Sequence, residues 1–422
     1  MPIPAASAQQ TFEDLLRDLP PDFQDMAIEF RAFTRSRKVR SPLELMRLVL
    51  MYSGIDQTLR DVAGNLTLLR ERITDTAVQK RLSACVPWLK ALLQKMWPGL
   101  DKLPDSVRLI VVDGSSVSVP GAVGTSYRLH LAMDLVALTF IPVEVTDQRV
   151  GESLSLYPLG QGDIVLLDRG YNHPKVVALH TLKDVSVVLR LSPHAMPLCR
   201  PDGGDKLDLY ALLKHSSSDM LTVLVELTQG QTTVKGWIHC RHLPPERREE
   251  ARRKCRAGSK SGAPKQSTLL CAEWLLIFTT VPPEQLDAQT VCVLYSLRWQ
   301  GELAFKRLKS LLDIDKLRSK EGSVLNAVWL YGKRLYATLL VKRSHRLFGA
   351  DTLGAGRDIT PWRLWRMLDN EATALITSVR HWQPSQRKVA LEVLKERPRK
   401  RKLQTLPLSV TRLMTNWTGI LA

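Results

Sequence analysis

The hydrophobic pattern of this 422-residue chain predicts an α/β protein, a sheet-containing centre flanked by helical regions. Three observations support this. Over 11–100 the apolar residues recur at three- and four-residue spacing, with breaks at Pro20-Pro21, Pro42, Gly54 and Gly64. Near Ser106 the period changes to runs rich in Val and Ile, with one helical segment set between two of them. After Pro282-Pro283 the helical spacing resumes and continues, with breaks, towards the C-terminus.

Within the first helical region, Ser53-Gly-Ile-Asp56 can cap a helix over 57–64. Thr74-Asp75 can cap another over 76–84 that displays Gln79, Lys80 and Arg81. Such a pair forms either a helix-turn-helix or part of a plain bundle with a basic surface. VRLIVVDGSSVSV then reads as a buried strand, followed by the strand pair YRLHLAMDL and ALTFIPVEV. DIVLLDRGY is a further strand, HPKVVALHTLK a helix with Pro174 in its first turn, and VSVVLRL the next strand.

Between 192 and 281 the β-prone pieces LTVLVEL, TTVKGWIHC and EWLLIFTT surround a charged stretch, PPERREEARRKCRAGSKSGAPKQ, which reads as a mobile basic loop over 246–265. The spacing therefore predicts four units. These are a helical segment over 1–104, a central α/β unit over 105–191 and 282–325, a β-rich insertion over 192–281, and a helical region over 326–422 with a basic tail, KERPRKRK. Trp362, Trp365 and Trp382 are expected in the core of the last region.

The composition is globular, with 44% hydrophobic and 24% charged residues, which excludes disordered and fibrous classes. No uncharged apolar run is long enough to span a membrane, and the opening MPIPAASAQQTFEDLL has no secretory pattern, so a soluble cytoplasmic protein is expected. Six cysteines without a CxxC pair argue against a disulfide framework. His239-Cys240-Arg241-His242 lacks the second ligand pair of a zinc finger. The net charge of +18 points to a polyanionic partner, nucleic acid above all.

Asp113 and Asp168 each follow an apolar strand, at the end where sites of α/β sheets lie, and there two acids can share a divalent ion. Asp-Gly after a strand is equally a turn signal. The segment YSLRWQGELAFKRLK adds a third acid. At about 100° per residue, Tyr295, Arg298, Glu302 and Lys309 fall within an arc of about 60°, beside an apolar face of Leu294, Leu297, Phe305, Leu308 and Leu312. An amphipathic surface helix would also accommodate such a stripe.

The pattern Tyr295-x2-Arg298-x3-Glu302-x6-Lys309 resembles the Y-R-E-K signature of the insertion-sequence-four family of bacterial DDE transposases, and VVDGSS and LLDRGY resemble that family's first and second acidic motifs. The order agrees, with 55 residues from Asp113 to Asp168 and 134 from Asp168 to Glu302, and the resemblance covers about 106–320. It implies a ribonuclease-H-like catalytic core interrupted by the β-rich insertion. Asp113, Asp168 and Glu302 would be both catalytic residues and ligands of two Mg²⁺ ions, with Mn²⁺ able to substitute.

By the same resemblance, Tyr295, Arg298 and Lys309 would hold phosphates at the transposon end. Trp274, 28 residues before Glu302, and Trp299, beside Arg298, would be stacking platforms for a base flipped out during a hairpin step. The implied partners are double-stranded DNA, as terminal inverted repeats and as target, and a second copy of the chain in a paired-end complex, at the nucleoid. A domesticated relative that binds DNA without cutting, or a nuclease without strand transfer, would share part of these features.

Overall fold

The computed structural model describes residues 11–69, 72–96, 108–135, 139–151, 153–193, 195–201, 204–259, 262–348 and 361–377. The tail KERPRKRK and Trp382 lie outside these residues. The first helical region contains α1 (Phe12–Leu15), α2 (Phe23–Glu29), α3 (Pro42–Val49), α4 (Leu59–Leu69), α5 (Asp75–Ser83) and α6 (Val86–Lys95). α3 starts where Ser41 Oγ accepts from Glu44 N and Pro42 occupies the first turn, and it runs into a π-helical turn over 50–54. Thr74 caps α5 as expected, its hydroxyl accepting from Ala77 N.

The expected strands follow as β1 (Leu109–Val117), β2 (Tyr127–Asp134), β3 (Thr139–Asp147) and β4 (Ile164–Leu167). After them come α7 (Pro174–Thr181), β5 (Ser186–Arg190), β6 (Leu198–Cys199), α8 (Leu209–Lys214), β7 (Met220–Gln229) and β8 (Thr232–His242). Next are α9 (Pro245–Ala257), α10 (Gln266–Ala272), β9 (Trp274–Thr279), α11 (Ala288–Ser296), α12 (Trp299–Leu312), α13 (Val324–Phe348) and α14 (Pro361–Thr377). The architecture is mixed α/β with a large sheet, ordered β3-β2-β1-β4-β5-β9-β8-β7-β6. β1, β4 and β5 are mutually parallel, and α7 makes the crossover between β4 and β5.

The strands of the 192–281 segment join this sheet rather than forming a second one. β9 pairs antiparallel with β5 on one side and with β8 on the other. The charged stretch is largely a helix, not a loop. α9 buries no residue, so the apolar period that identifies helices in sequence is missing. Charge pairs hold it instead, Lys254–Glu250 at 2.7 Å and Arg256–Glu249 at 3.2 Å, and Arg252 fastens it to Glu273 with contacts of 2.9 and 2.6 Å.

Alternation of side chains gives the sheet two apolar faces. Ile110, Val112, Val165, Leu167, Val187 and Leu189 pack in one core with residues of α7, α8 and α10. Leu109, Val111, Ile164, Leu166 and Val188 face the other, which extends through α12 and α13 to the N-terminal helices and α14. The two helical ends of the chain therefore share one core. α13 is its axis, apolar around most of its circumference, with Val328, Trp329, Leu330, Leu335, Tyr336 and Leu339 buried. Trp365 of α14 is buried there too. Among the described residues no helix is long and apolar enough to cross a membrane.

Candidate active site

The parallel pairing of β1 with β4 sets Leu109 opposite Ile164, Ile110 opposite Val165 and Val111 opposite Leu166. Two residues further on, the same register puts Asp113 level with Asp168, on neighbouring strands whose usual separation is about 4.8 Å. Asp113 shares the face of Val111, and Asp168 that of Leu166, so both acids belong to the face covered by α12. Each is held by a local bond: Asp113 Oδ1 accepts from Gly114 N at 2.9 Å, and Asp168 Oδ1 from Gly170 N at 2.8 Å.

Residues unnoticed in the sequence brace this pair. The hydroxyls of Tyr157 and Tyr171 are 2.8 Å apart, and Tyr157 donates to the carbonyl of Asp113, linking β1 to the turn after Asp168. Asn172 donates to the carbonyls of Arg169 and Arg190, both at 2.9 Å, and accepts from Ser192 N, which ties that turn to the end of β5. Apart from Asn172 and Arg169, three residues apart, these partners are distant in sequence, so only the fold reveals them.

The predicted single helix over Tyr295 to Lys309 is two helices. α11 ends at Ser296, and α12 begins after Arg298, its N-cap. Leu297 and Arg298 keep helical angles, but the amides of Leu297, Arg298, Gln300 and Gly301 bond three residues back rather than four, so the chain tightens without changing course. Tyr295, in the last turn of α11, points into the core. It is buried, and burial raises its pKa against the opposing charges of Arg298 and Arg190.

α12 approaches β1 through Gly301. A Cβ on Gly301 would lie 3.2 Å from Val111 Cγ2 and 3.8 Å from Asp113 Cβ, so a side chain here would make Val111 or the helix give by a few tenths of an ångström. Gly301→Val is expected to push α12 off the sheet. We expect a loss of about 1–3 kcal/mol in stability, read as a lower midpoint of denaturation.

Arg298 Nη2 lies 2.5 Å from Glu302 Oε1. Burial works to lower the Arg298 pKa, but Tyr295, Glu302 and Asp113 outweigh it, so the guanidinium stays charged beside the acids. Lys309 is half-buried about two turns beyond Glu302, and Lys306, overlooked in the sequence, is exposed four residues after Glu302. Two further cations join the group. Burial and the charge of Arg190 lower the Arg169 pKa, while Tyr295 and Asp168 oppose them, and the β4–β5 register sets Arg190 level with Asp168. Arg169 was visible as the neighbour of Asp168; Arg190 comes close only through the β4–β5 register.

The two tryptophans differ. Trp299 is 42% exposed at the start of α12. Trp274 opens β9 but is 3% exposed, with its indole stacked on His242 at 4.3 Å and 8°. As it stands, Trp274 presents no open face for a base.

As donors for a metal, Asp113, Asp168 and Glu302 form an all-oxygen set suited to a hard divalent cation such as Mg²⁺. Among the described residues no three acidic, His or Cys side chains already converge as a metal cage. The residue types and their common face fit an ion, provided the Glu302 carboxylate turns from Arg298.

A family profile described as "Transposase DDE domain" matches residues 106–336, which contain all three carboxylates and the Tyr295, Arg298, Lys309 set. Two Escherichia coli proteins are similar over most of the chain. InsL of strain K12, named as a transposase for insertion sequence element IS186A, is 29% identical over 335 residues, covering 76% of this chain and 90% of its own. The transposase for insertion sequence element IS421 is 29% identical over 336 residues with the same coverage. With more than half its length inside the matched region, the chain belongs to the transposase DDE domain family.

Proposed function

We propose that the protein is a cut-and-paste transposase that binds the terminal inverted repeats of an insertion sequence and cleaves and joins DNA strands with Mg²⁺. The reading rests on one observation above others, the register that levels Asp113 with Asp168 beneath the Gly301 contact of α12. The order β3-β2-β1-β4-β5, with β1 to β3 antiparallel and β4 and β5 parallel to β1, supports a ribonuclease-H-like core interrupted after β5. The domain limits 1–104, 105–191 with 282–325, 192–281 and 326–422 belong to this reading.

In it, Asp113, Asp168 and Glu302 would hold two Mg²⁺ ions, which would supply activation of a water or 3′-hydroxyl and charge stabilisation for the leaving oxygen; Mn²⁺ would suit the same oxygen set. Arg298 offers a fork to phosphate once its pair with Glu302 opens, and Lys309 adds a point charge. Buried Tyr295 orients Arg298 and donates its phenol to the same phosphate. Trp299 is the base platform open in this conformation, and Trp274 takes a flipped base in the hairpin step once His242 moves aside. Two copies act together in the paired-end complex, in the cytoplasm at the nucleoid.

The test follows the fate of a labelled duplex carrying the element's end, incubated with Mg²⁺ and a supercoiled target. Joining of label to target is expected, with a hairpin end visible on a denaturing gel. Cleavage without joining would make the protein a nuclease, and binding without cleavage a domesticated relative.

A further inference from the structure

The N-terminal helices carry a charged surface with no part in the catalytic face. α4 and α5 pack on each other, and their Val62, Ala63, Leu66, Val78 and Leu82 are buried. Thr58 and Asp61 cap α4 reciprocally, and Thr74 caps α5, so both helices have fixed starts. With Val78 and Leu82 turned inward, α5 leaves Asp75, Thr76, Gln79 and Lys80 exposed along one arc. Between the two helices opens a cleft of about 730 Å³, lined among others by Arg60, Asn65, Thr67, Arg72 and Thr74.

Beside α5 runs a segment of unusual charge. From 30 to 43 the chain holds Arg31, Arg35, Arg37, Lys38 and Arg40 and no acid. Buried Ala32 and Val39 pin it at both ends, and 34–38 are exposed. Arg81 of α5 donates to the carbonyl of Arg35 at 3.1 Å, and partial burial together with the charges of Arg35 and Arg37 lowers its pKa. Among the described residues none of these three guanidiniums has a carboxylate partner, so the fold gathers like charges and leaves their repulsion uncompensated until an anion arrives.

We infer that α5 reads the major groove of duplex DNA through Gln79 and Lys80, while Arg35, Arg37 and Arg81 clamp the adjacent phosphate backbone. The inference rests on the proposed transposase function and identifies the part of the chain that selects the element's end. The side chains fit the task. A glutamine amide pairs bidentately with adenine, a lysine meets the guanine acceptors, and arginines at the flank give register without sequence preference.

The test measures binding of the full chain to a labelled duplex bearing the element's end and to an unrelated duplex of equal length, across a salt series. All four substituted residues are exposed. Gln79→Ala with Lys80→Ala is expected to erase at least tenfold of the preference for the end. Arg35→Ala with Arg37→Ala is expected to weaken both duplexes alike and to flatten the salt dependence by about two units of slope. If the first pair keeps the preference and the second keeps the slope, while the wild type discriminates and cuts, the assignment of α5 and its clamp is wrong and the transposase reading stands. A wild type that neither discriminates nor cuts overturns the reading itself, and this inference with it.

Discussion

Replacing Glu302 with glutamine is expected to reduce Mg²⁺-dependent cleavage of the element's end by about 10³-fold or more, with binding of that end retained. The argument is one of charge at constant shape. The amide oxygen can still accept from Arg298, so the start of α12 and its approach through Gly301 are preserved. What disappears is the third carboxylate of the proposed oxygen set, which in that reading stabilises charge in phosphoryl transfer by several kcal/mol, where each ~1.4 kcal/mol is tenfold in rate. Stability should hardly change, because the Glu302 side chain is 46% exposed and such a pair is worth under about 1 kcal/mol. Single-turnover cleavage beside a thermal melt separates the two effects. Equal rates in both proteins would remove Glu302 from the chemistry.

Much of this site was legible in sequence because its signals are local. Asp113 and Asp168 terminate apolar strands, and β1, β4, α7 and β5 lie where periodicity and Pro174 place them. The spacing of Tyr295, Arg298, Glu302 and Lys309 survives as a helical course even though i→i−3 bonding splits it into α11 and α12. The contacts that make the acids neighbours were not legible, since register between β1 and β4 and the contact of Gly301 with Val111 are properties of pairing and packing.

Longer-range features were hidden for related reasons. Trp274 resembles a stacking residue by position, yet the fold covers it with His242, because a ring at the start of a central strand is drawn into the core. α9 was hidden because it has no buried face, and periodicity reports only burial. Separate helical ends were expected, whereas α13 draws them into one core through close contacts: Gly54 meets the ring of Tyr336, and Gly332 meets Ser53.

That junction carries the second large effect. Lys333 of α13 is fully buried, donates to the carbonyl of Gly54 at 3.0 Å, forms an ion pair with Asp56 and lies 5.0 Å from the centre of the Trp329 ring. Burial pushes the Asp56 pKa up and the Lys333 pKa down despite their mutual attraction, so desolvation outweighs what the pair returns. Such a pair fixes how the N-terminal helices dock on α13 more than it adds stability, and removing one partner strands the other. Lys333→Met is expected to destabilise the protein by about 3–5 kcal/mol, read as a lower urea midpoint. Adding Asp56→Asn, which keeps a residue tolerant of the left-handed backbone at φ 62°, is expected to recover most of the loss. If the double variant melts no higher than Lys333→Met alone, the lysine acts through packing and its bond to Gly54, and the ion pair does not determine the docking of the two helical regions.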